Sequence, residues 1–159
     1  AKGLAMKRAN LANIAVQDKM AEIYGREKYG DLMIYDALIC NKDRHLGNFG
    51  YLTDNNTGAY LRPAPIFDNG FSLLYGAAKN DMENLEAYIS SLSGKYMNFD
   101  TAVKLFIRPA HIPGMRKLLN FHFRKHPKYN VANATLEKMS QFIQLRAKRI
   151  LSLYREKPI

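Results

Sequence analysis

Apolar and polar residues recur along this chain at spacings that predict mostly helix. Leu11, Ile14, Ala15 and Met20 fall on one side of residues 11–24, with Gln17, Asp18 and Glu22 on the other, the pattern of an amphipathic helix. Gly25 is expected to end it, and Tyr29-Gly30 to complete the turn. Asp31 is then a suitable N-cap for a strongly apolar helix over residues 32–40, from which Asp36 alone is expected to stay unburied. The polar residues 41–45 break that pattern. Residues 49–53 read as a strand, 54–58 as a turn and 59–62 as the returning strand, stopped by Pro63 and Pro65.

Further along, residues 76–80 read as loop, and a weaker helical pattern covers about 81–89. In the last third Asp100 is expected to cap a helix over 101–107, and Pro113 to open another over 114–123. Asn133 or Thr135 then opens a long helix reaching about Tyr154. Its stripe of Leu136, Met139, Ile143, Ala147, Ile150 and Tyr154 should face a core. The expected architecture is mainly α with a small β-hairpin, and residues 1–159 are expected to make a single domain.

Composition narrows the class. With 47% hydrophobic and 24% charged residues, the chain can bury a core and is not a disordered segment. No apolar run approaches the roughly 18 residues of a membrane-spanning helix. The single cysteine, Cys40, has no internal partner for a disulfide, and no signal-peptide pattern opens the chain, so a cytoplasmic setting is expected. Ala1, rather than Met, is what a fragment or trimmed chain would begin with.

Charge is uneven. The net +10 arises because residues 101–159 hold 13 Lys+Arg against 2 Asp+Glu, whereas residues 1–100 hold 11 against 12. A field of that sign attracts phosphates, whether on nucleic acid, acidic lipid or an acidic protein, and it also suits a solvated face of basic helices.

The chemistry concentrates in Asn41-Lys42-Asp43-Arg44-His45-Leu46-Gly47-Asn48, followed after the hairpin by Asp68-Asn69-Gly70. Kinases place a catalytic-loop Asp five residues before an Asn, and a second Asp on a later turn. The first Asp orients the attacking hydroxyl. The Asn amide and the second Asp offer hard oxygens to a metal bridging the phosphates. The hairpin lets the chain return to the same pocket. Arg44 pairs readily with a carboxylate and is as well suited to a purely structural role.

Asp43-Arg44-His45 with Asn48, then Pro65-Ile66-Phe67-Asp68-Asn69-Gly70, resembles the catalytic and metal-binding segments of the HipA-like serine/threonine kinases. The same Asp-Arg-His order, with an Asn three residues on, is similar to the phosphoinositide kinases. The likeness covers roughly residues 31–75 and implies a protein-kinase-like C-terminal lobe. It implies Asp43 as catalytic base, with His45 and Asn41 supporting the loop. Asn48 and Asp68 would be the Mg²⁺ ligands, and Gly70 would lend the metal-binding turn its backbone freedom. ATP and Mg²⁺ would be the cofactors and a protein the substrate, in the toxin–antitoxin context such kinases sometimes have.

No G-x-G-x-x-G loop, G-x-x-x-x-G-K-[ST] motif or V-A-I-K-like strand is present. Those parts belong to a kinase N-terminal lobe, which is expected to precede residue 1, so the chain alone should bind Mg·ATP weakly. Two other functions stay open. One is a lipid kinase; the other is a non-catalytic module whose basic residues 101–159 hold nucleic acid, an antitoxin-like protein or another acidic partner. His122 and His126 are spaced as zinc ligands on a helix could be, but lack a third ligand nearby. His111 reads as a loop or packing residue, and Cys40 as a buried small hydrophobe.

Overall fold

The computed structural model describes residues 15–129 and 131–156. Helix α1 covers residues 15–24 within that span, and residues 11–14 of the expected helix lie outside it. Gly25, at a φ of 88°, makes the break, and α2 (Arg26–Ile39) starts at once. The expected turn at Tyr29-Gly30 is helix instead, and Asp31 lies inside α2 rather than capping it. Tyr29 is buried on the core side, and Gly30 packs against Phe106, so tertiary contact overrides the local turn signal. Asp31 is occupied elsewhere, paired with Arg108 and His111.

The hairpin is formed by β1 (Tyr51–Thr53) and β2 (Tyr60–Pro63), antiparallel, with Leu52 opposite Arg62 and a bulge between Leu52 and Thr53. The Asp54 carboxylate accepts from the Asn56 and Thr57 N–H groups at 2.9 and 2.8 Å, which closes the turn. Tyr51 donates from its hydroxyl to the Tyr24 carbonyl at 2.7 Å. Rings of Tyr24, Tyr29, Phe49 and Tyr51 meet at centroid distances of 5.1–5.7 Å, tying the hairpin to α1 and α2.

The weak pattern after residue 76 resolves into two short helices, α3 (Lys79–Glu83) and α4 (Leu85–Ser91), separated at Asn84. Helix α5 (Phe99–Phe106) is capped by Asn98, whose Oδ1 accepts from Asp100 N–H at 2.8 Å. The cap is therefore Asn98 and not Asp100, which turns toward Arg149 and Arg146. A 3₁₀ turn (Pro109–His111) leads into α6 (Ile112–Leu118), which stops short of the expected Phe123. Helix α7 (Asn133–Arg155) is 23 residues long.

Helices α2, α5 and α7 pack on one another, with α6 and α4 against α7. Ile34, Val103, Phe142, Ile150 and Leu153 are almost wholly buried at their junction, each contributing about 1.5–3 kcal/mol by leaving water. Ile143, Ala147 and Ile150 of the expected stripe are buried, whereas Leu136, Met139 and Tyr154 sit at its margin. Among the described residues no helix is long and apolar enough to cross a membrane.

Candidate active site

The polar loop after α2 is positioned by the way that helix ends. Cys40 turns left-handed (φ 51°), and Asn41 N–H donates back to the Asp36 carbonyl at 3.0 Å. The final carbonyls of α2 find donors far along the chain. Leu73 N–H reaches Ile39 O at 2.7 Å, and Arg146 Nε reaches Ala37 O at 2.8 Å. Lys42 N–H donates to Phe71 O at 3.0 Å, so residues 71–73 run beside the loop.

Arg44 joins these pieces. Its Nε and Nη2 each lie 2.9 Å from a carboxylate oxygen of Asp36, and both residues are buried. Nη1 donates to the carbonyls of Asn48 and Phe67 at 2.8 and 2.5 Å, and Nη2 also meets Asn69 Oδ1 at 2.7 Å. One guanidinium thus ties the end of α2, the Asn48 turn and the Asp68 turn together. Asp36, expected to stay unburied, is instead the buried anchor of this arrangement. Burial pushes its carboxyl upward against the pull of the Arg44 guanidinium.

Around that hub lie the residues singled out from the sequence. Asn41 accepts from Asp43 N–H at 3.1 Å and donates from Nδ2 to Asp68 O at 3.2 Å. Asn48 donates from Nδ2 to Asp43 O at 2.9 Å. His45 opens the short 3₁₀ turn Leu46–Asn48; its Nδ1 accepts from Gly47 N–H at 3.0 Å, and Nε2 lies 4.0 Å from Asp43 Oδ2. The backbones of Asn41, Asp43, Asn48 and Asp68 therefore belong to one hydrogen-bonded assembly. In the second turn the left-handed residue is Asp68 (φ 53°), and Gly70 has no such backbone. The freedom expected of Gly70 is exercised by Asp68, which tolerates that conformation better than most side chains.

Asp43 presents its carboxylate at the surface of the loop, about one-third exposed, with Lys95 Nζ 2.7 Å from Oδ1. The hydrogen bond from Lys95 holds the Asp43 carboxyl below the usual carboxylate range and raises the Lys95 ammonium. Sequence reasoning missed Lys95. It stands 52 residues from Asp43, in a segment without helical or strand periodicity, and only the fold brings it near.

Other candidates separate from this site. Cys40 is fully buried, and burial pushes its thiol up to about 12, as a packing residue requires. His122 and His126 lie beyond α6 in irregular chain, so the shared helix face a zinc pair would need is absent. His111 packs against Asp31, with Nε2 2.9 Å from Oδ1. A larger cleft, of about 550 Å³, opens between α4, α5 and α7, where Arg149 binds Asp100 at 2.7 Å. It contains none of the loop residues. Part of the basic charge of the last third is thus met internally, by Asp100, Asp31 and Glu27. Among the described residues no three His, Cys, Asp or Glu side chains gather as a metal site.

Over 76 residues, 47% of this chain, the sequence is 36% identical to the serine/threonine-protein kinase CtkA of Helicobacter pylori. The match covers 23% of that protein's length, so the chain corresponds to only part of it. No family model matches the chain. No solved structure matches it either. The relationship is kinase-like over part of the chain, whose described residues are mainly helical with one two-stranded antiparallel sheet.

Proposed function

We propose that this chain carries the catalytic loop of a HipA-like kinase and passes the γ-phosphoryl group of ATP to a serine or threonine hydroxyl of a protein. The observation that carries this is the hydrogen-bonded assembly around Arg44, which joins the Asp43–Asn48 loop to the Asp68 turn across an intervening hairpin. A structural loop has no need to bind a second polar turn of that composition. A phosphoryl-transfer site does, because base and metal oxygens must converge on one phosphate.

Asp43 would accept the proton of the attacking hydroxyl and orient it. Its backbone is pinned from both sides, by Asn41 and by Asn48, so its carboxylate has a defined direction. The donors available to magnesium fit that ion. Asn48 supplies an amide oxygen and Asp68 an exposed carboxylate, both hard ligands. Two protein oxygens suit a cation that keeps water and phosphate oxygens around it. When bound with ATP, magnesium would neutralise charge on the phosphate oxygens.

The test is incubation of the intact protein with labelled Mg·ATP, a Ser/Thr peptide pool and, separately, phosphoinositide vesicles. Label is expected on peptide, falling about 10²–10⁴-fold in Asp43→Asn with nucleotide binding retained. Label on lipid would make this a lipid kinase. No transfer, together with salt-sensitive retention of DNA, would make it a basic binding module.

A further inference from the structure

We infer that Lys95 is the cation that meets the transferring phosphoryl group, moving to it from its resting place on Asp43. The inference rests on the phosphoryl-transfer reading above and adds a residue that the loop motif does not contain.

Position comes first. Lys95 Nζ lies 2.7 Å from Asp43 Oδ1, and its side chain is 43% exposed at the end of a flexible stem. An acceptor oxygen within hydrogen-bond reach of Asp43, attacking a phosphorus about 3–3.5 Å further on, places that phosphorus within roughly 9 Å of the resting ammonium. A swing of the lysine stem covers such a gap.

The other cations of the loop are committed. The Arg44 guanidinium is spent on Asp36, two carbonyls and Asn69. Lys42 Nζ donates to Tyr75 O at 2.8 Å and lies over the Tyr75 ring. Among the described residues around the loop, Lys95 is the cation whose hydrogen bond goes to the candidate base itself.

The segment carrying Lys95 is also built against the site. A Cβ on Gly94 would come within 2.8 Å of Met97 O, so the chain turns there with no room for a side chain. Gly94 and Tyr96 wall a cavity of about 30 Å³ together with Asp36, Asn41 and Arg44. Asn98 then caps α5 and fixes the far end. The segment that carries Lys95 thus lies beside the buried pair that ties the loop.

The chemistry links the two contacts. As the acceptor hydroxyl gives its proton to Asp43, its oxygen forms a bond to the γ-phosphorus. The bond from that phosphorus to the β–γ bridging oxygen breaks, and its electron pair leaves with ADP. Asp43, protonated, loses its hold on the ammonium while negative charge builds on the phosphoryl oxygens, so Lys95 is released toward them when it is needed.

The test compares Lys95→Met, Lys95→Arg and Asp43→Asn in the intact protein, each matched to wild type by thermal melting. Lys95→Met is expected to lower kcat about 10²-fold, with KM for the acceptor changed far less, and Lys95→Arg to recover part of the loss. Unchanged or faster transfer by Lys95→Met, with Asp43→Asn inactive, would overturn the role of Lys95 alone and mark the pair as packing or self-inhibition. Transfer that survives Asp43→Asn would overturn the underlying site assignment.

Discussion

Arg44 reaches back eight residues to Asp36 and binds both of its carboxylate oxygens at 2.9 Å inside the protein. Neither charge is stable there alone, since each ion loses several kcal/mol of hydration on burial. The pair therefore locks the end of α2 to the loop, and every further bond made by the guanidinium inherits that fixity. Arg44→Met should destabilise the fold by about 3–5 kcal/mol, seen in urea unfolding, because it strands Asp36. The double variant Asp36→Leu, Arg44→Met should regain much of the stability. Phosphate transfer should stay low in it, because the carbonyls of Asn48 and Phe67 have lost their common donor.

Two glycines should answer oppositely to alanine. At Gly30 the added Cβ would meet Phe106 no closer than 3.5 Å, an ordinary contact within a helix. Gly30→Ala should therefore raise stability by about 0.5–1 kcal/mol. At Gly94 the added Cβ falls 2.8 Å from a backbone oxygen. Gly94→Ala should shift the segment that carries Lys95 and lower the rate of transfer. Denaturation midpoints and turnover, measured on both variants, separate the two effects.

The Asp31–Arg108–His111 cluster carries a pH signature. Partial burial by itself would raise the Asp31 carboxyl. The hydrogen bonds from His111 and Arg108, with the charge on each, outweigh that and hold it below the ordinary carboxylate range. Its folded state thus binds the proton less readily than its unfolded state. The stability this provides is present above the unfolded value, near 3.9, and is lost as pH falls through the lower folded value. With the Asp31 side chain 42% exposed, the contribution is at most about 1 kcal/mol. Asp31→Asn should be less stable than wild type at pH 7, and urea titrations should find the gap closing below pH 4.

Cys40 should be silent toward thiol reagents in the folded protein. Its side chain is buried, and its thiol is pushed up to about 12, so little thiolate is present at neutral pH. Aromatic disulfide reagents should label it at the rate of unfolding, and labelling should accelerate in Arg44→Met. Rapid labelling of native protein would contradict the burial.

The parts of the site legible in the sequence were those whose order chemistry dictates. Asp43, Asn48 and Asp68 stand in the order that the proposed phosphoryl-transfer site requires, and a hairpin written in aromatic and turn residues separates Asn48 from Asp68. Asp36 was misread because an acid on an apolar helix points to solvent unless its partner is known, and that partner lay beyond the helix. Lys95 was invisible for a related reason: its neighbour in space is remote in sequence. The α2 start went astray because tertiary contact carries the helix through Tyr29-Gly30, and the α5 cap because Asn98 and Asp100 both offer a capping oxygen. Asp31 and Asp100 both suit a cap, yet each was claimed by arginines elsewhere. The long α7 was legible because its apolar period runs for several turns.

The hydrogen bond from Arg146 to the Ala37 carbonyl spans 109 positions of the chain. During synthesis, residue 146 is made long after the Asp43 loop has left the ribosome. Until then the helix delivering that loop lacks one of its supports, and α7 cannot close over Ile34 and Val103. A nascent polypeptide stalled before α7 would carry the reactive groups without their foundation.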